Sequence, residues 1–128
     1  MLRLEIPCLI PVSTIIGAYY VMINYLKVSP NDVKIALLNT LPFKKHIFIE
    51  DLKKNSAKRA IELAEKSKFE SWDGYLISLM EQKNLSIVYT LDISDFSKLN
   101  WITAINPVDE KEYAEYQQWS KGLRAIKE

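Results

Sequence analysis

The sequence is poor in the residues that usually advertise a site. It has one cysteine, Cys8, and one histidine, His46, among 128 residues. A lone thiol closes no internal disulfide, and one thiol with one imidazole builds no Cys/His metal cage. Structural zinc, a Cys–His protease and a disulfide-stapled secreted fold are therefore not expected. Cys8 reads as a small buried hydrophobe rather than a reactive thiol, and a reducing, cytoplasmic compartment fits it. Three glycines and five prolines leave no room for a collagen-like or low-complexity chain. An excess of one charge is missing as well. Lys and Arg number 17 and Asp and Glu 16, a net +1, so overall charge alone does not draw the chain to nucleic acid.

Charge is absent altogether from Ile6 to Leu26, 21 residues and long enough to suggest a membrane span. Pro7 and Pro11 interrupt the run, and Ser13, Thr14 and Asn24 dilute it. Its continuous helical part, Thr14 to Leu26, reaches only about 20 Å at 1.5 Å per residue, short of a hydrocarbon core of roughly 30 Å. The run also lacks a basic n-region and an A-x-A site, so it does not read as a signal peptide. A buried strand bending into a buried helix is the better description, and no membrane partner is expected.

What is present looks globular: 48% apolar and 26% charged residues, with no internal repeat and no Gly/Ser/Pro linker. Residues 1–128 read as a single domain. Leu2 to Ile10 reads as a strand turning at Pro11. Ser13 or Thr14 can cap a helix to about Leu26, with Ile15, Ala18, Tyr19, Met22 and Leu26 inward. Ser29-Pro30-Asn31-Asp32 is a helix start, with Ser as N-cap and Pro at the first helical position. The helix behind it buries Val33, Leu37, Leu38 and Leu41 and ends at Pro42. His46 to Glu50 is a short strand. Asn55 or Ser56 caps a charged amphipathic helix to about Lys66, and Ser71 caps a helix over Trp72 to Gln82 with Tyr75, Leu76, Leu79 and Met80 inward. Leu85 to Thr90 has the β-rich composition of a buried central strand. Asp92 to Lys98 is a turn or one helical turn, Ile102 to Ile105 a last strand closed by Asn106-Pro107, and Val108 to Ile126 a terminal helix. Alternating helices and short strands predict an α/β layer with a mostly parallel sheet.

The near-zero net charge hides a division. Residues 44–59 hold Lys44, Lys45, Lys53, Lys54, Lys58 and Arg59 against Glu50 and Asp51. Residues 60–128 hold 8 basic and 12 acidic groups. A basic edge beside an acidic half suits a metal nuclease that binds phosphate, although Lys and Glu on solvated helix faces give the same pattern. His46 shows no oriented partner that would make it a general base and reads as a surface or interface residue. Trp72, Tyr75, Trp101, Tyr113, Tyr116 and Trp119 offer faces for base stacking, or core and dimer contacts.

In open α/β sheets ligands collect at the carboxyl ends of the strands. Asp92 follows directly on the Leu85–Thr90 strand. Asp73 lies in the first turn of the preceding helix, which a short αβ connection carries back over that edge. Asp73, Asp92 and Asp95 then converge, as carboxylates do around a Mg²⁺ or Mn²⁺ ion that activates water. The competing reading makes them a helix-dipole partner and turn formers.

The segment from about Ala60 to Pro107 resembles the C-terminal half of the PIN domain family, the fold of the VapC-type toxin ribonucleases. The resemblance rests on Trp72-Asp73-Gly74-Tyr75-Leu76-Ile77, the strand Leu85-Ser86-Ile87-Val88-Tyr89-Thr90, then Thr90-Leu91-Asp92-Ile93-Ser94-Asp95-Phe96 and Ile105-Asn106-Pro107, in the family's order. Ile10-Pro11 followed by Ile15-Ile16-Gly17-Ala18-Tyr19-Tyr20-Val21-Met22 is similar to its second block, so the likeness spans about residues 11–107. It implies a three-layer α/β/α sandwich with a central, mostly parallel sheet. It also implies an acidic pocket for Mg²⁺ or Mn²⁺ that cuts single-stranded RNA, often under a partner antitoxin protein; a homodimer is expected as well. Asp73 and Asp92 stand as metal ligands, Asp95 as a supporting acid and Thr90 as a hydroxyl orienting water or metal. The basic 44–59 stretch would hold the RNA backbone.

Two departures bear on the chemistry. Where the family's second block carries Glu, this chain has Gly17. The family's first strand ends in Asp, and laying residues 1–10 on it puts Glu5 at that position as a further ligand; those residues can equally be the strand before the second block. A site reduced in this way would bind metal weakly and hydrolyse slowly.

Overall fold

The computed structural model describes residues 7–42, 46–50 and 52–125. They fall into two compact units, one within Met1–Glu50 and Glu110–Glu128, the other within Asp51–Asp109.

The first unit begins with β1, Cys8–Pro11. Pro11 stands in extended backbone (φ −61°, ψ 132°) as the N-cap of α1, Val12–Asn24. Its fixed φ and missing N–H suit that junction, so the helix begins before Ser13 and Thr14 and has no side-chain cap. Of the expected inward stripe, Ile15, Ala18, Met22 and Leu26 are half-buried, whereas Tyr19 is exposed. Tyr19 lies beside Ile16, Tyr20 and Val21, which are exposed too. Helix α2, Pro30–Leu38, starts as the sequence predicts. Ser29 Oγ accepts from Asp32 N at 3.2 Å and donates to Asp32 Oδ2 at 2.7 Å. Val33 is buried, but the helix stops at Leu38 and leaves Leu38 and Leu41 exposed. Strand β2, His46–Ile49, pairs parallel with β1, Cys8 opposite His46 and Pro11 opposite Ile49. Helix α6, Glu110–Ala125, has no fully buried residue. Its Tyr113, Tyr116 and Trp119 form a ladder with ring centroids 6.4 and 6.2 Å apart.

The second unit is built around α4. Helix α3, Lys54–Ser67, takes its N-cap from the backbone of Lys53, not from Asn55 or Ser56; Ser56 lies inside the helix and is buried. It ends where Lys68 turns left-handed (φ 57°). Helix α4, Ser71–Lys83, is capped by Glu70, which leaves Ser71 as the first helical residue. Its burial exceeds a single stripe, taking in Gly74, Tyr75, Ile77, Ser78, Leu79 and Met80. Burial on several sides marks a helix covered on more than one face. The cover is Leu63 of α3 together with Phe69, Val88, Phe96 and Ile102, which cluster with Ile77 and Met80. Asn84 closes α4 in the left-handed region (φ 54°), tolerable for Asn because its short polar side chain bonds locally.

Strand β3, Ile87–Tyr89, pairs parallel with β4, Thr103–Ile105, Ile87 opposite Thr103 and Tyr89 opposite Ile105. Between them α5, Ile93–Phe96, makes the single turn that the sequence predicts. Strand β3 is not a strand buried on both faces. Val88 is covered, while Ile87 and Tyr89 are exposed. That is the alternation of a strand packed on one side, here against α4. The chain is thus mixed α/β with parallel pairing, and each sheet among the described residues has two strands. No helix among them is long and apolar enough to cross a membrane.

Candidate metal centre

The second unit brings Asp73, Asp92 and Asp95 together at the C-terminal end of β3. Each offers a carboxylate oxygen, and the three atoms lie within 4.8 Å of one another. Asp73 occupies the first turn of α4, and the short Asn84–Ser86 connection returns the chain to β3, so the start of α4 stands over the end of the strand. Asp92 is the N-cap of α5. Its Oδ1 accepts from Asp95 N at 3.4 Å and from Ser94 Oγ at 3.3 Å. Thr90 fixes that turn from upstream: its N–H donates to Ile105 O at 3.0 Å, and its Oγ1 accepts from Asp92 N at 3.0 Å. The Thr90 hydroxyl thus shapes the loop that carries Asp92.

The electrostatics divide the three acids. Partial burial pushes the Asp73 carboxyl above its ordinary value, and the charges of Asp92, Glu70 and Asp95 push in the same direction. Asp95 moves the other way, held down chiefly by its hydrogen bond from Lys98. Lys98 Nζ lies 2.6 Å from Asp95 Oδ1 and 5.3 Å from the centroid of the Phe69 ring. This cation is the residue that sequence reading missed. Its i,i+3 spacing from Asp95 was the available signal.

Oxygen donors of this kind fit a hard divalent cation. A Mg²⁺ ion holds its ligands at about 2.0–2.1 Å, so opposite oxygens stand about 4 Å apart. Of three ligands only one pair can stand opposite, and adjacent oxygens are about 3 Å apart, so atoms within 4.8 Å would close by up to about 2 Å around it. Like charge in a partly buried group is also what a cation would relieve. Two features oppose this: Asp92 already caps α5, and Lys98 already neutralises part of Asp95.

The remaining expected site residues are elsewhere. Glu5, Lys44, Lys45 and Asp51 lie outside the described residues. Gly17 sits in α1 of the first unit, with open space where a Cβ would stand. Lys53 and Lys54 open α3. Lys58 and Arg59 are drawn toward acids on their own unit: Lys58 Nζ lies 3.9 Å from Glu62 Oε1, and Arg59 forms a two-pronged pair with Glu81 at 3.0 and 2.9 Å. The basic stretch is therefore partly neutralised within the fold.

No family model matches this chain, and no curated protein does so either.

Proposed function

We propose that the chain is a PIN-like, metal-dependent endoribonuclease of the VapC toxin type with a reduced acidic site. The observation that carries this is the convergence of Asp73, Asp92 and Asp95 at the C-terminal end of a parallel strand. On this reading the fold is the three-layer α/β/α sandwich with a central, mostly parallel sheet, working in the cytoplasm as a homodimer under an antitoxin protein. Asp73 and Asp92 hold the ion, Asp95 supports it, and Thr90 keeps Asp92 in place. A bound Mg²⁺ or Mn²⁺ supplies an activated water for attack on the phosphodiester. Lys53, Lys54, Lys58 and Arg59, with Lys44 and Lys45, attract the RNA backbone.

The test is cleavage of end-labelled single-stranded RNA in Mn²⁺, with Asp73→Asn and EDTA as controls. Slow cleavage that disappears in both controls supports the proposal, and cleavage unchanged by Asp73→Asn removes the site assignment. A second reading is a catalytically inactive PIN-fold module that binds RNA or a partner protein. It is favoured by the Lys98 ammonium already seated on Asp95 and by Gly17 where the family has Glu. Metal binding without cleavage supports that reading.

A further inference from the structure

At the opposite end of α4 from the three aspartates, an open cleft of about 470 Å³ is lined by Met80, Glu81, Asn84, Leu85, Ser86 and Trp101. The volume falls in the range of small-molecule sites. Its backbone is held firmly. Leu85 N donates to Met80 O at 2.9 Å, Asn84 N to Glu81 O at 3.2 Å, and Thr103 N to Ser86 O at 2.7 Å. Trp101, in the turn before β4, is 42% exposed, so its ring is open to solvent.

The lining selects among ligand chemistries. Indole over an acid would ordinarily suit a cation. Here both oxygens of Glu81 are taken by the Arg59 guanidinium, at 3.0 and 2.9 Å, so the carboxylate is already neutralised. What remains in the lining is the Trp101 indole, the apolar side chains of Met80 and Leu85, and two neutral groups that both donate and accept: the Asn84 carboxamide and the Ser86 hydroxyl. A planar, neutral heterocycle with mixed donors and acceptors on its edge satisfies all three. We propose that this cleft is a nucleobase-binding site, with the base stacked on Trp101 and its edge bonded by Asn84 and Ser86. It lies about 16 Å from Asp73 along α4 (eleven residues at 1.5 Å), so it would hold a base other than the one at the reacting phosphate. It deepens the RNA reading above, rests on that reading for its place in catalysis, and stands alone as a binding site.

Equilibrium dialysis of the full chain against radiolabelled adenosine 5′-monophosphate, without metal, tests it. Saturable binding is expected. It should weaken at least about fivefold in Trp101→Leu, the loss of one base–aromatic stack, and survive in Trp101→Tyr, which keeps a ring. Far-ultraviolet circular dichroism confirms that both variants fold. Asp73→Asn should bind as the wild type does. Absence of saturable binding, or equal binding by Trp101→Leu, overturns the proposal, as does equal Trp101-dependent binding of arginine amide, which would make the cleft a cation site. Mn²⁺ binding measured on the same wild-type protein separates the two readings: metal without nucleotide removes the cleft alone, and nucleotide without metal removes the metal centre alone.

Discussion

The three glycines all lie in helices, and the structure assigns them opposite consequences. A Cβ at Gly74 would be driven into the carbonyl oxygen of Ala60 and would stand 3.2 Å from both Ala60 C and Ala64 N. Every atom it meets is backbone of α3, so no side chain can rotate away. At Gly17 and Gly122 the same Cβ meets nothing within 4 Å. Alanine in a helix interior gains about 1 kcal/mol over glycine, while overpacking a closed contact costs about 1–3 kcal/mol or more. With α3 and α4 forced apart, the cost wins at Gly74. Gly74→Ala should lower stability by about 2 kcal/mol and Tm by roughly 6–10 °C. Gly17→Ala and Gly122→Ala should each raise stability by up to about 1 kcal/mol. Thermal and urea denaturation of the three variants measure this. Because Asp73 adjoins Gly74, Gly74→Ala should also weaken metal binding. A Gly74→Ala protein as stable as the other two would refute the close approach of α3 and α4.

Other perturbations have equally definite signs. Ser29→Ala removes the cap that receives Asp32 N and should cost about 1 kcal/mol in urea denaturation. Asp73→Asn should stabilise the fold while abolishing metal binding, because the raised carboxyl value means that the ionised form is disfavoured in the folded state. The folded chain then holds more protons than the unfolded one, so stability declines as pH rises from the ordinary Asp value through the raised one; a melting series in which wild type and Asp73→Asn show the same pH dependence there contradicts this. Asp95 works in the opposite sense: its contribution is present above the ordinary Asp value and lost as pH falls through the lowered one. Lys98→Met keeps a stem against Phe69 but removes the ammonium from Asp95, and should tighten Mn²⁺ binding about two- to fivefold; weaker binding would show that Lys98 helps to build the site.

Local signals were the legible ones. Ser29 and Pro30 announced α2 because a cap and a fixed φ act within one turn. Asp92, directly after a strand, marked the turn that α5 makes, because Asp is a local turn former. The meeting of Asp73 with Asp92 was also readable, since a short αβ connection leaves a helix little choice but to return over the strand it feeds. Tertiary partners were not readable. The single-stripe assignment of α4 missed Ile77 because periodicity shows which face is apolar, not how many neighbours cover it. Leu38 and Leu41 were assigned inward from the same pattern, but α2 ends at Leu38 and no longer carries the periodicity. The caps of α1, α3 and α4 were misplaced by one to three residues because Pro11, Lys53 and Glu70 stand at the N-cap positions in extended backbone, with no side-chain cap for the sequence to show. Lys98 and the Arg59–Glu81 pair were hidden among ordinary surface charges: i,i+3 spacing allows the Lys98–Asp95 pair without singling it out, and Arg59 and Glu81 lie 22 residues apart.

The central claim is that Asp73, Asp92 and Asp95 hold a divalent ion, and Mn²⁺ electron paramagnetic resonance reports it most directly, since the free aquo ion gives the sharp signal and bound ion does not. Titration of the full chain should show one bound Mn²⁺ per chain, released by excess Mg²⁺, and no binding in Asp73→Asn or Asp92→Asn. A wild-type chain that leaves the Mn²⁺ signal undiminished, or aspartate variants that bind as the wild type does, would contradict it.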